Sequence, residues 1–196
     1  MKEVATMNTL IRPALVIIGL LTVVTGLLYP LAVTGVAVAL FPREARGSLV
    51  EAGGRVAGSA LIGQQFTDSR HLWGRPSATA PFPYNAAAAA GSNLGQSNPA
   101  LLDAVKARGV ALREKHPGEH GRIPVDLVTA SGSGLDPDIS PAAAAYQVAR
   151  IAAARGLSTE AVAGVVAGCT AGRQLGVLGE ARVNVLCVNV ALDEPR

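Results

Sequence analysis

From Pro13 to Phe41 the chain carries no charged residue over 29 consecutive positions. As an α-helix this stretch spans about 44 Å against a hydrocarbon core of about 30 Å, so it can cross a bilayer with length to spare. The reading that follows is a short tail (1–12), one transmembrane helix (13–41) and one soluble domain (42–196). A secretory signal peptide competes with it, because Lys2 and Arg12 precede the run and Ala37-Val38-Ala39 resembles a small-residue cleavage site. Signal h-regions are about 7–15 residues long, and the mismatch in length favours a retained anchor.

Within the span, Thr22 and Gly26, then Gly35 and Ala39, are four residues apart and fall pairwise on one helical face. Small residues at that spacing let a second helix approach closely, which makes Gly26 and Gly35 candidate partner contacts. Glycine is also common in membrane helices at large, and neither pair is a strict Gly-x-x-x-Gly. Pro30 removes a backbone donor and predicts a kink after Tyr29. Charge does not orient the segment: Lys2, Arg12 and the α-amino group on one side face Arg43 and Arg46 on the other.

About 155 residues remain, enough for one domain with its own core. From Pro42 onward 15 Lys/Arg oppose 13 Asp/Glu, so the basic pI of about 9.2 does not indicate a nucleic-acid partner. Lys106, Arg108, Arg113 and Lys115 lie near Asp103, Glu114 and Glu119, as on the wet face of a helix. Cys169 and Cys187 make neither a zinc site nor a redox motif, since no Cys-x-x-Cys or nearby His pair accompanies them. Two free buried thiols is the reading favoured; a single disulfide is the alternative if the domain lies outside the cytoplasm.

Punctuation outweighs periodicity in the soluble part. Gly47 to Gly54 reads as a linker, Val56 to Ile62 as a short strand, and Trp73 to Pro99 as a long proline-ordered loop with room for one turn at Ala86 to Ala90. A loop of that length in a small domain is functional or covered by a partner. Asn98 and Pro99 start a helix that runs to about His116, with Leu101, Leu102, Val105 and Leu112 on one face. A strand is expected at Ile123 to Thr129, helices at Pro141 to Arg155 behind Ser140 and at Ser158 to about Ala167, and a central strand over Val183 to Leu192. The fold class is α+β.

Groups able to carry chemistry are few. Gly91-Ser92-Asn93-Leu94 and Gly132-Ser133-Gly134-Leu135 echo each other 41 residues apart, but neither contains the Lys of a P-loop. Ser131, Gly132, Ser133 and Gly134 could offer amides to an anion, although Asp136 and Asp138 oppose phosphate there. No Gly-x-Ser-x-Gly elbow is present. His116 and His120 are separated by Pro117 and Gly118, so they share no helical face and read as surface histidines rather than metal ligands. Asp136 and Asp138 read as turn formers rather than an acid/base pair. No catalytic residue and no metal site is expected.

Longer motifs carry more. Gly58-Ser59-Ala60-Leu61-Ile62-Gly63-Gln64-Gln65-Phe66, Gly74-Arg75-Pro76-Ser77-Ala78-Thr79-Ala80, Gly91-Ser92-Asn93-Leu94 with Ser97-Asn98-Pro99, Pro124 to Asp136 and Val183-Asn184-Val185-Leu186 occur in order along nearly the whole chain, after Arg12-Pro13-Ala14 and Tyr29-Pro30-Leu31. This set resembles the C subunits of Kdp-type potassium-transporting P-type ATPases, the KdpC family. The resemblance implies a non-catalytic accessory subunit in the plasma (inner) membrane, N-terminus cytoplasmic and soluble domain extracytoplasmic. Its implied partners are a channel-like potassium-binding subunit, the P-type ATPase subunit and a small single-helix subunit. It implies support of assembly and a catalytic-chaperone effect that raises the ATPase subunit's affinity for ATP, sometimes through direct nucleotide contact, with Ser131, Gly132, Ser133 and Gly134 as the candidate ATP-binding residues. No cofactor of its own is implied, ATP entering through the complex. The loops around Arg75, Ser77, Asn93 and Ser131 are then expected to cap the mouth of the channel-like subunit. Two rival classes are a membrane-anchored extracytoplasmic hydrolase sensitive to Ser131 or Asp136, and a nucleotide-binding regulator.

Overall fold

A computed structural model describes residues 2–194, with side chains from Thr9 onward. The chain divides between Ser48 and Leu49 into two compact units.

The first unit is helical. Helix α1 (Lys2–Val23) runs into a π turn (Val24–Leu28), then α2 (Tyr29–Leu40) and a short α3 (Pro42–Ala45). Thr9–Leu40 is long and apolar enough to cross a membrane, and none of its most apolar window is buried within the chain. The π turn answers the proline: Pro30 has no N–H for the i→i−4 ladder, and the turn before it widens so that the Tyr29 N–H donates to the Val24 carbonyl.

The second unit is a small α+β fold. Strands β1 (Leu49–Ala52) and β2 (Arg55–Ser59) pair antiparallel across Gly53-Gly54, both at positive φ, as a two-residue hairpin turn requires. The segment read as a linker is therefore half of a hairpin. Helices α4 (Pro99–Lys115), α5 (Pro141–Arg155) and α6 (Thr159–Gly168) follow, and β3 (Asp138–Ile139), β5 (Arg182–Asn184) and β4 (Thr170–Ala171) form an antiparallel sheet in that spatial order. The chain closes with α7 (Val185–Asp193).

The helix starts are local chemistry. Asn98, Ser140 and Ser158 each accept from a backbone N–H two or three residues on, at 2.9, 3.0 and 3.1 Å, and proline follows the first two. Gly156 ends α5 in the left-handed region.

Packing then decides the middle of the unit. Helix α5 is central: Ala143, Ala144, Ile151 and Ala152 are buried against Val162 and Val166 of α6 and Val185, Val188 and Leu192 of α7. Its alanines let neighbours close in without a void.

Two expected strands are helical instead. Over 183–192, Asn184 caps through its side chain to Cys187 N at 3.0 Å, and Val185, Val188 and Leu192 recur at helical spacing in the shared core. Only Arg182–Asn184 remains extended. β-Branched content is a weak preference that burial of one helical stripe overrides. Over 123–129 the chain makes a 3₁₀ turn, Val125–Leu127, after Pro124. Asp126 is turned toward Ser140, accepting from its N–H at 2.7 Å and its hydroxyl at 3.2 Å. In α4, Leu112 is buried as expected, whereas Leu102 is 49% exposed and off the packed face.

The cysteines are bonded to each other. Cys169 and Cys187, with Cα atoms 5.9 Å apart, form a disulfide that ties the end of α6 to α7. The reading of two free thiols is overturned because the closing segment becomes a helix that returns beside α6, a proximity that no local sequence signal encodes.

Candidate partner-contact site

The proline-ordered loop is held by side chains acting as strand partners. Asn189 of α7 accepts from Leu72 N at 2.7 Å and donates to Leu72 O at 2.9 Å. Gln147 of α5 does the same for Trp73, at 2.9 and 3.1 Å. Both amides are buried, so each satisfies a backbone pair that would otherwise be orphaned.

Beside them lies a half-buried cation. The Arg150 guanidinium stacks 4.0 Å from the Trp73 ring and donates to the carbonyls of Ser69 and His71, to Gln147 Oε1 and to His116 Nε2. Because Arg150 Nε can only donate, His116 Nε2 must accept, and Nδ1 carries the proton that goes to Leu112 O at 2.7 Å. His116 is thus neutral and 2% exposed between Trp73 and Tyr146, not the surface histidine expected from sequence. Burial, opposed by the Leu112 carbonyl and reinforced by the Arg150 charge, lowers its pKa. Burial also lowers Arg150, to about 10.

From this anchor the loop crosses the second Gly-Ser segment. Arg75 meets Asp136 at 3.1 Å and reaches Ala130 O at 3.4 Å. Ser77 Oγ donates to Gly134 O at 2.7 Å and accepts from Tyr84 N at 2.9 Å. Thr79 Oγ1 donates to Phe82 O at 2.8 Å, and the Tyr84 hydroxyl donates to Arg75 O at 2.6 Å. Burial first, then the Asp136 charge, push the Tyr84 pKa up to about 12.

The two echoing Gly-Ser loops lie side by side, with Ala90 N donating to Ser133 O at 2.9 Å. Gly91 and Gly134 permit the approach: a Cβ on Gly91 would sit 2.8 Å from Gly132 O, and one on Gly134, at φ +69°, 2.6 Å from Thr79 Cγ2.

The residues picked from sequence therefore divide. Arg75, Ser77, Ser131 and Gly134 converge on this platform, with Ser131 buried and its N–H on Pro76 O at 3.2 Å. Gly132, Ser133 and Asn93 are exposed, Asn93 in the left-handed region at φ +52°. Gly26 and Gly35 lie exposed on the apolar helical segment. Sequence reasoning passed over Phe82, set between Pro81 and Pro83 and 56% exposed, while its own carbonyl is pinned by Thr79. An aromatic flanked by two prolines is the signal that marks it.

A cleft of about 580 Å³ flanks the platform, lined by Arg75, Asp126, Asp136, Asp138, Glu180 and Arg182 among others. Its carboxylates are engaged within the domain. Asp136 accepts from Arg75 and from Asp138 N, while Asp138 accepts from Asn184 Nδ2 at 3.0 Å and pairs with Arg182 at 3.1 Å. That engagement makes both aspartates turn and strand-end ties. Among the described residues no cluster of His, Cys, Asp and Glu has the arrangement of a metal site.

Residues 11–194 match the family model described as K+-transporting ATPase, c chain. The chain belongs to that family. Related KdpC chains include the potassium-transporting ATPase KdpC subunit of Variovorax paradoxus, 64% identical over 187 residues that cover 95% of this chain and 97% of the relative. Those of Polaromonas naphthalenivorans and Methylococcus capsulatus are 62% and 59% identical, covering 95% and 94% of this chain and 95% and 97% of their own. In this KdpC-family chain the matched region takes in the apolar helix from residue 11 as well as the platform.

Proposed function

We propose that this chain is a non-catalytic, single-pass subunit of an ATP-driven potassium-uptake pump that supports assembly of the complex by contact. The observation that carries the reading is the platform: a long loop fixed by buried amides and a stacked guanidinium, at a conformational cost that a lone domain has no reason to meet. Its exposed points, Phe82 and Asn93, are suited to meet the channel-like potassium-binding subunit. The helix carrying Gly26 and Gly35 faces the other membrane subunits, including the P-type ATPase subunit and the small single-helix subunit.

The Cys169–Cys187 bond supports an extracytoplasmic soluble unit and a cytoplasmic N-terminus, because structural disulfides persist in oxidising compartments. The occupied carboxylates of Asp136 and Asp138 favour contact over hydrolysis. Two features of the Gly-Ser loop support contact over nucleotide binding: its Ser131 N–H is taken by Pro76 O, and the Asp136 carboxylate stands beside it. A catalytic-chaperone effect on ATP affinity then acts through the complex rather than through nucleotide held on this chain.

Mild-detergent purification of the tagged chain from potassium-starved cells, with mass spectrometry of the eluate, tests the reading. A P-type ATPase and a polytopic channel-like subunit are expected to co-elute, and bulky residues at Gly26 and Gly35 together should weaken the association. Elution of the chain alone, with those subunits present in the same membranes, overturns it. Saturable ATP binding by the purified chain would favour a nucleotide-binding regulator.

A further inference from the structure

Between β4 and β5 the chain projects a hairpin whose tip is apolar: Leu175 is 89% exposed, Val177 73% and Leu178 56%. Such a cluster on a small domain marks a contact. The tip is also built rather than loose. Gln174 and Leu178 exchange both backbone hydrogen bonds at 2.8 and 2.9 Å, and Arg173 pairs with Glu180 at 2.7 Å just behind them. The disulfide ties the foot of the hairpin, and Asn184 N donates to Cys169 O at 3.2 Å. Leu175 holds φ +53°, a conformation costly for a branched side chain and one that Gly or Asn would adopt more readily. A connector under no other demand would not place leucine there.

We propose that this tip seats in an apolar pocket on the extracytoplasmic surface of the channel-like subunit, the partner proposed above for the adjoining platform. The inference rests on the accessory-subunit reading above and names the contact. Two other occupants are disfavoured by the hairpin itself. A lipid surface would call for cations or interfacial aromatics, whereas residues 170–182 contain no Lys, Trp, Tyr or Phe. Arg173 and Arg182 are meanwhile neutralised by Glu180 and Asp138. A second copy would need roughly 800 Å² from each partner, far more than three side chains supply. A pocket on a subunit already held alongside in the same complex needs only a small local anchor, because tethering supplies a high effective concentration. The hairpin is also continuous with the platform face: Glu180 and Arg182 at its base line the cleft shared with Arg75 and Asp136.

The test uses the full complex co-expressed with a tagged chain. Leu175→Ser/Val177→Ser/Leu178→Ser is expected to leave the disulfide and the thermal midpoint of the chain intact, since these side chains are exposed, while reducing co-purified pump subunits about tenfold, as loss of one interface hot spot would. A photo-crosslinking residue at Val177 should capture the channel-like subunit, and capture of the P-type ATPase subunit instead overturns the proposed partner. If the wild-type chain brings down no pump subunit, the accessory-subunit reading itself fails. If the wild type co-purifies and the triple variant does so equally, the tip is not the anchor and the broader reading stands. Crosslinks only to lipid or to a second copy of the chain overturn the proposed partner.

Discussion

Breaking the Cys169–Cys187 bond tests mainly one contribution to stability, because Cys187 is exposed and Cys169 is only partly buried at the edge of the core. The sequence separation is 18, and the loop-entropy relation for a closed loop of that length predicts stabilisation of about 3 kcal/mol at 25 °C. For a folding unit of this size each kcal/mol moves the thermal midpoint by about 2–4 °C, so the Cys169→Ser/Cys187→Ser chain should melt roughly 6–12 °C lower. Detergent-solubilised chain melted with tryptophan fluorescence as the probe gives the comparison; Trp73 is the single tryptophan and packs, half-buried, against the core. The oxidised wild type should titrate no thiol when denatured without reductant, and the reduced wild type should match the double variant. Two titratable thiols in the oxidised protein, or equal stability with and without the bond, would refute the reasoning. The same thiol count bears on orientation, since a bond present in protein taken directly from cells reports an oxidising compartment.

Other substitutions probe the site. Asn189→Leu leaves both backbone groups of Leu72 buried without partners and should destabilise by about 2–5 kcal/mol in chemical denaturation, well beyond an exposed Asn→Leu change. Gly134→Ala forces a Cβ against Thr79 Cγ2 at positive φ and should lower the thermal midpoint, whereas Gly132→Ala, with open space around it, should not. His116 predicts an acid dependence. Its folded pKa lies below the ordinary 6.5, so the unfolded chain binds more protons as pH falls, and stability should drop progressively below about pH 6.5. His116→Gln should flatten that slope; an unchanged slope would assign the acid sensitivity elsewhere.

Much of the molecule was legible where a few adjacent residues decide the outcome. The uncharged 29-residue run, the caps at Asn98, Ser140 and Ser158, and the stop at Gly156 are local statements of hydrogen bonding and transfer free energy, and they reappear at the expected positions. Pro30 marked the place of the helix irregularity, although its form, a π turn on the N-terminal side, depended on how the freed carbonyls could be rearranged. At the candidate site, the glycines and the Arg75-Pro76-Ser77 run were readable as a loop under constraint.

What only the tertiary structure decided concerns partners far apart in the chain. Gln147 lies 74 residues from Trp73 and Asn189 lies 117 from Leu72, so nothing near either amide announces that it completes a backbone pair. The burial of His116 depends on Arg150, 34 residues away. The disulfide depends on Val185–Asp193 forming a helix beside α6, where helical spacing of buried valines outweighs their preference for strands. By itself the sequence determined the long apolar helix and the capped starts of the helices at Asn98, Ser140 and Ser158, since those energies are settled within a few residues. The packed loop platform, the neutral histidine and the sulfur bond arise only when the core has closed, because burial sets which distant groups must satisfy one another.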